Sequence, residues 1–142
     1  MSGVLRVVAA VLFAGVLSLG IMAQSPVPAV EVFNQVSVNG MVTVASVFNE
    51  GPGWIVIHAD NGEGRPGPIV GYRAINDGWS YNVDVMVDAA GVTPTLFAML
   101  HADTNEIGVY EFGQVEGADG PVRVNDAVVT PPFQVELIRA FD

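Results

Sequence analysis

The chain has 142 residues, 51 % of them hydrophobic, with no cysteine and no lysine, and its five arginines face fifteen acidic residues for a formal net charge of −10. Such a surface repels a nucleic-acid backbone. The missing cysteines exclude disulfides and thiolate chemistry, and the apolar content excludes a disordered chain.

Met1 to Arg6 carries one positive charge, Val7 to Met22 is apolar apart from Ser18 and two glycines, and Ala23 is a small residue before the polar Gln24-Ser25. This is the layout of a secretory signal peptide. The apolar run is short for a membrane span, which needs about 20 residues. Residues 1–23 are therefore expected to be a signal peptide. An uncleaved anchor is the alternative, because Ile21 is a mediocre residue ahead of the cut. A short linker, 24–30, then leads into one domain, 31–142. Cleavage leaves four arginines against fifteen acidic residues, a net charge of −11. The expected place is outside the cytoplasmic membrane, secreted or at the cell surface. Membrane contact is expected only through an uncleaved N-terminal segment.

The domain reads as strand after strand. Val36 to Val44 holds Asn39-Gly40 between two β-rich runs, the signature of a type I′ hairpin turn. Gly51-Pro52-Gly53 turns the chain into Trp54 to His58, apolar on both faces and so a central strand. Asn61 to Pro68 is a loop, Ile69 to Arg73 a short strand, and Asn76-Asp77-Gly78 a turn. From Tyr81 to Asp88 the residues alternate, with Tyr81, Val83, Val85 and Val87 on one face. Thr95 to Leu100 is a second two-sided apolar strand. Asp103 to Gly108 turns, Val109 to Phe112 returns as a strand, and Phe133 to Ile138 closes the chain. No window shows a helical stripe. The pattern predicts an all-β fold, an Ig-like antiparallel β-sandwich of about seven to nine strands. A small barrel is the alternative.

Both histidines occupy one frame, His58-Ala59-Asp60 and His101-Ala102-Asp103, each at the end of an apolar run. By strand alternation His58 shares a face with Trp54, Val56 and Asp60, and His101 shares one with Phe97, Met99 and Asp103. On neighbouring strands the imidazoles could lie close together. His58, Asp60, His101 and Asp103 then form a candidate set of ligands for a divalent cation, or a general acid/base pair. In the plainer reading each ring packs at a strand end and bonds its aspartate or a backbone carbonyl. Asp103 to Phe112 also starts like a calcium loop, with Asn105 third, Gly108 sixth and Glu111 ninth. Ile107 at the fifth place and Gln114 at the twelfth break that pattern, and a turn explains the same residues. Trp54 reads as core, whereas Trp79 beside a turn is a candidate ring for stacking on a sugar. No nucleophile motif is present, so no catalytic residue and no cofactor is expected beyond that possible cation.

Four segments, Gly53–His58, Ala98–Asn105, Gly108–Phe112 and Asp119–Val122, fall in an order that resembles an uncharacterised all-β domain of exported archaeal and bacterial surface proteins. Members of that family open with Asp-Gln before an early hairpin, where this chain has Asn34-Gln35. The resemblance spans about Glu31 to Phe133. It implies a surface domain and carries no activity. Some members have a more acidic turn after the second histidine, from which Ile107 departs. The expected role is a non-enzymatic surface module, structural or binding, with an unknown protein or glycan as partner. Divalent-cation binding through the two His-Ala-Asp frames is the alternative, and carbohydrate binding through Trp79 the third reading.

Overall fold

The computed structural model describes residue 20 and residues 23–139. Most of the segment read as a signal peptide lies outside the described residues. Among the described residues no helix is long and apolar enough to cross a membrane.

Among the described residues ten strands follow in order: β1 Ala29–Glu31, β2 Gln35–Val38, β3 Met41–Asn49, β4 Gly53–Asp60, β5 Pro66–Ile75, β6 Gly78–Met86, β7 Thr95–Ala102, β8 Arg123–Val124, β9 Ala127–Val128 and β10 Pro132–Ile138. A 3-10 turn, Ala89–Gly91, sits between β6 and β7. β1 starts inside the stretch read as a linker. One sheet has the order β1-β3-β6, the other β2-β10-β7-β4-β5, and β8-β9 is a two-residue ladder. Pairing is antiparallel except between β10 and β2, which run parallel. The two large sheets share no ladder, so the domain is a β-sandwich and not a barrel.

The core is where the sheets face each other. Val42, Val44, Val47, Val83 and Val85 from the smaller sheet meet Ile55, Ile57, Leu96, Ala98, Leu100 and Phe133 from the larger one. β4 and β7 lie side by side inside the larger sheet. Both are apolar on both faces because both faces are covered.

The expected loop over Asn61 to Pro68 is shorter, since β5 already begins at Pro66 and runs ten residues to Ile75, and three further local expectations change. Asn39 and Gly40 do take positive φ, 53° and 80°, but they do not make a hairpin. β2 pairs with β10 and β3 with β1 and β6, so this turn carries the chain from one sheet to the other. A two-residue turn with both φ positive sets a sharp reversal, and the sheet each strand joins is decided by longer-range pairing. The second change lies in β6, where Tyr81 is 64 % exposed while Val83 and Val85 are buried. Asn82, at φ 49°, breaks the alternation, and the β3–β6 ladder skips Ala45 and Asn82 together. Both strands thus exchange faces at one level. The third is Val109–Phe112, which forms no strand but part of a turn-rich excursion, residues 103–120.

The pair Asn34-Gln35 has a structural job. The Gln35 side chain donates to the Thr43 carbonyl at 3.0 Å and accepts from the Thr43 N–H at 2.8 Å. It thereby acts as a one-residue strand partner for β3. Asn34 Oδ1 accepts from the Gln134 N–H at 2.8 Å, which ties the same corner to β10. Gln35→Ala leaves both polar groups of Thr43 without this partner. A loss of about 1–2 kcal/mol is expected in urea denaturation, and an unchanged midpoint would contradict this role.

Candidate functional site

The face of β4 and β7 turned away from the main core carries Trp54, Val56 and His58 opposite His101, Met99 and Phe97. All six are buried. Their cover includes the 103–120 excursion, which brings Tyr110 to 5.3 Å from Trp54 and Phe112 to 4.7 Å from His101, ring centre to ring centre. Tyr110 also stacks on Tyr72 of β5 at 4.0 Å. Over β4 and β7 the outer side of the larger sheet is therefore a second buried layer, made of aromatic rings around two imidazoles.

The histidine rings lie 5.9 Å apart, centre to centre, with planes 29° apart. His58 Nδ1 bonds the Gly67 carbonyl at 2.8 Å, and His101 Nδ1 bonds the Asp119 carbonyl at 2.7 Å. A carbonyl oxygen only accepts, so each Nδ1 carries the proton. Burial lowers the pKa of both rings, that of His101 to about 4. For His101 the Asp119 carbonyl works against burial, the neighbouring imidazole lowers the pKa further and the Asp119 carboxylate raises it. At neutral pH both rings are thus neutral, with a bare lone pair on Nε2. Both Nε2 atoms are buried and neither has a hydrogen-bond partner. The Trp54 Nε1, Tyr110 hydroxyl and Asp103 Oδ1 atoms share that condition.

The sequence accounts for the two anchors. The β4–β5 ladder shifts register on both sides of His58, and Gly67 has no partner in it. Its carbonyl is free to receive the imidazole, which fits the habit of bulges near re-aimed side chains. A Cβ on Gly67 would press on the backbone of Asn61 and Ala59, so the close approach needs glycine. Asp119 sits before a glycine and proline at φ 50° and is 0 % exposed. Its carboxylate accepts from the N–H groups of Thr104 at 2.8 Å and Glu111 at 2.7 Å. Its own N–H donates to Thr104 Oγ1 at 2.9 Å. Asp119 thus fixes both the excursion and the His101 tautomer.

The structure brings the two imidazoles together and directs the expected acidic partners elsewhere. Asp60 Oδ1 accepts from the N–H groups of Gly62 and Gly64 and caps the loop after β4. Asp103 Oδ2 accepts from the Gly108 N–H at 2.8 Å. Asn105 donates to both carboxylate oxygens of Glu111, which also receives the Glu106 N–H. The calcium-like pattern is thus spent on closing a turn. Among the described residues no group of three or more His, Asp and Glu side chains is arranged to hold a metal ion. Sequence reading missed Asp119, Tyr110 and Phe112 as parts of this site. An Asp-Gly-Pro turn was the available signal for the first. The other two offered none, since an alternating Tyr and Phe read as strand.

Trp79 lies on the outer face of the smaller sheet, as its position beside a turn suggested. It is 51 % exposed. The exchange of faces at Asn82 puts Tyr81 beside it, with ring centres 5.8 Å apart and planes within 8°. Phe48 supports Trp79 at 5.2 Å. Across the sheet, Glu31 pairs with Ser46 and Ser46 with Tyr81, and the Ser46 hydroxyl donates to Glu31 Oε2 at 3.2 Å.

No curated protein and no solved structure matches the chain. A family described as a domain of unknown function, DUF7282, matches residues 28–136, nearly the whole sandwich, and the chain belongs to that family.

Proposed function

We propose that this domain is a non-enzymatic binding module, exported through its N-terminal segment to the cell surface, and that its ligand is a neutral glycan. The parallel, solvent-facing rings of Trp79 and Tyr81 carry this reading. The apolar face of a pyranose ring packs on such surfaces, and the hydroxyls at its edge need hydrogen-bonding groups alongside. The Glu31 carboxylate and Ser46 hydroxyl, next in line across the same face, supply them. Aromatic rings of this kind give large contact area at small entropic cost. The net charge of −10 disfavours acidic polysaccharides.

Affinity electrophoresis in gels holding single neutral polysaccharides tests the proposal. Retardation by at least one polysaccharide is expected. Trp79→Ala should weaken it about two- to tenfold, since a stacked ring contributes about 0.5–1.5 kcal/mol. Tyr81→Ala should weaken it less. Both rings are half in solvent, so both variants should fold. Migration unaffected by every neutral polysaccharide would contradict the reading.

A further inference from the structure

The geometry points to a soft-metal site: we infer that a single cuprous ion is bound between His58 Nε2 and His101 Nε2, with the Met99 thioether as third donor. This inference is independent of the glycan reading, which concerns the other sheet.

The two rings have the separation one ion requires. Metal–imidazole bonds are about 2.0 Å, so two rings on one ion have centres about 5–6 Å apart. The observed 5.9 Å falls in that range. It is too long for a direct Nε2-to-Nε2 hydrogen bond, and neither nitrogen has another partner. Both nitrogens are fixed as lone-pair donors, because each ring holds its proton on Nδ1 against a backbone carbonyl. An outer partner of this kind on the second ring nitrogen is the usual companion of a metal-bound histidine. Buried polar groups are nearly always satisfied, and the exceptions call for a partner.

The kind of ion is set by the other groups present. Met99 lies two residues before His101 on the same face of β7, opposite Val56, and is buried. Imidazole with thioether selects Cu(I), whereas carboxylate-rich sets suit harder ions. The Asp60 carboxylate and Asp103 Oδ2 are turned to backbone N–H groups. A structural zinc site asks for four ligands, and the described residues offer no set of three His, Asp or Glu. The walls are rings: Phe112 stands edge-on to His101, and Tyr110 closes over Trp54. Two neutral rings and a thioether give a monovalent ion a site that needs little charge compensation, where a divalent ion meets a larger desolvation cost.

The test is an anaerobic titration of the full chain with Cu(I) against a chromophoric cuprous chelator. In parallel, Ag(I) is added to the 15N-histidine-labelled chain. One equivalent of Cu(I) should be withdrawn from the chelator. One equivalent of Ag(I) should move both Nε2 resonances and leave both Nδ1 protons in place. Met99→Leu, which keeps the volume of the side chain, should weaken Cu(I) binding about tenfold. His58→Gln should abolish it. Asp60→Asn should leave it unchanged, which separates this site from one built with the aspartates. Three results would overturn the inference: no competition with the chelator, binding that leaves either Nε2 resonance unmoved, or Zn(II) moving both resonances where Cu(I) and Ag(I) do not. Unchanged affinity in Met99→Leu would overturn the three-donor site.

Discussion

Asp119→Ala is expected to destabilise the domain by about 4 kcal/mol, a large loss for one polar side chain. The carboxylate is 0 % exposed and serves two backbone N–H groups, those of Thr104 and Glu111. Alanine leaves both unpaired, at about 1–3 kcal/mol each. Hydrogen bonds to an ionised acceptor are the stronger kind. The position also sits at φ 50°, which aspartate tolerates better than alanine. Asp119→Asn keeps one acceptor but points an amide N–H at the other donor, so about half the loss is expected. Urea denaturation gives the magnitude. Hydrogen exchange locates it, since the amides of Thr104 and Glu111 should lose protection before those of β4 and β7. A loss below about 1 kcal/mol would show that the excursion is held by other contacts.

The second large effect is acid destabilisation that begins well above the carboxylate range. In the unfolded chain both histidines titrate near pH 6.5. In the folded chain burial holds His101 down at about 4, and His58 is lowered too. Between these values the unfolded state binds protons that the folded state refuses, so stability falls as pH falls. The contribution is fully present above about pH 6.5, declines through the interval, and levels off below the folded value. For His101 alone the loss by pH 5 is about 2 kcal/mol, with His58 adding in the same direction. Urea midpoints measured from pH 7.5 to 5 on chelator-treated protein should decline steadily. A flat profile, or one rising toward pH 5, would mean that the rings are charged or solvated in the folded state.

The sandwich and its two central strands were legible because the physics that shapes them is local. Trp54–His58 and Thr95–Leu100 are apolar at nearly every position and too short for a buried helix, which leaves a strand covered on both sides. The closeness of the two imidazoles needed more than neighbouring strands, since in the antiparallel ladder His58 stands opposite Phe97 and His101 opposite Trp54, with the Val56–Met99 pair between them, and yet the rings come within 5.9 Å. What escaped was set by pairing at long range or by a single backbone angle. Asn39-Gly40 has the chemistry of a hairpin turn, and nothing in those two residues says that β2 will pair with β10 about a hundred residues on. Asn82 is one residue in an otherwise regular alternation, yet its positive φ turns Tyr81 from core to surface. The aromatic pair at Trp79 therefore could not be seen without the fold.

The site shows the same division. The two histidines stood out by composition, being the only two in the chain. Their obvious partners, the aspartates two residues on, proved to be engaged in turns. The side-chain period of a strand places His58 and Asp60 on one face, but the register shifts at the end of β4 re-aim the residues beyond His58. The true partners are two backbone carbonyls, Gly67 and Asp119. A carbonyl belongs to every residue, so no sequence pattern announces it.

The central claim is that both buried imidazoles are neutral, protonated on Nδ1, and expose a free lone pair at Nε2 inside the domain. Long-range 1H–15N correlation spectra of the 15N-histidine-labelled chain at pH 7 read this directly, because protonated and bare ring nitrogens resonate far apart. Two histidines are expected, each with a protonated Nδ1 and a bare Nε2. A ring protonated on Nε2, or on both nitrogens, would contradict the claim.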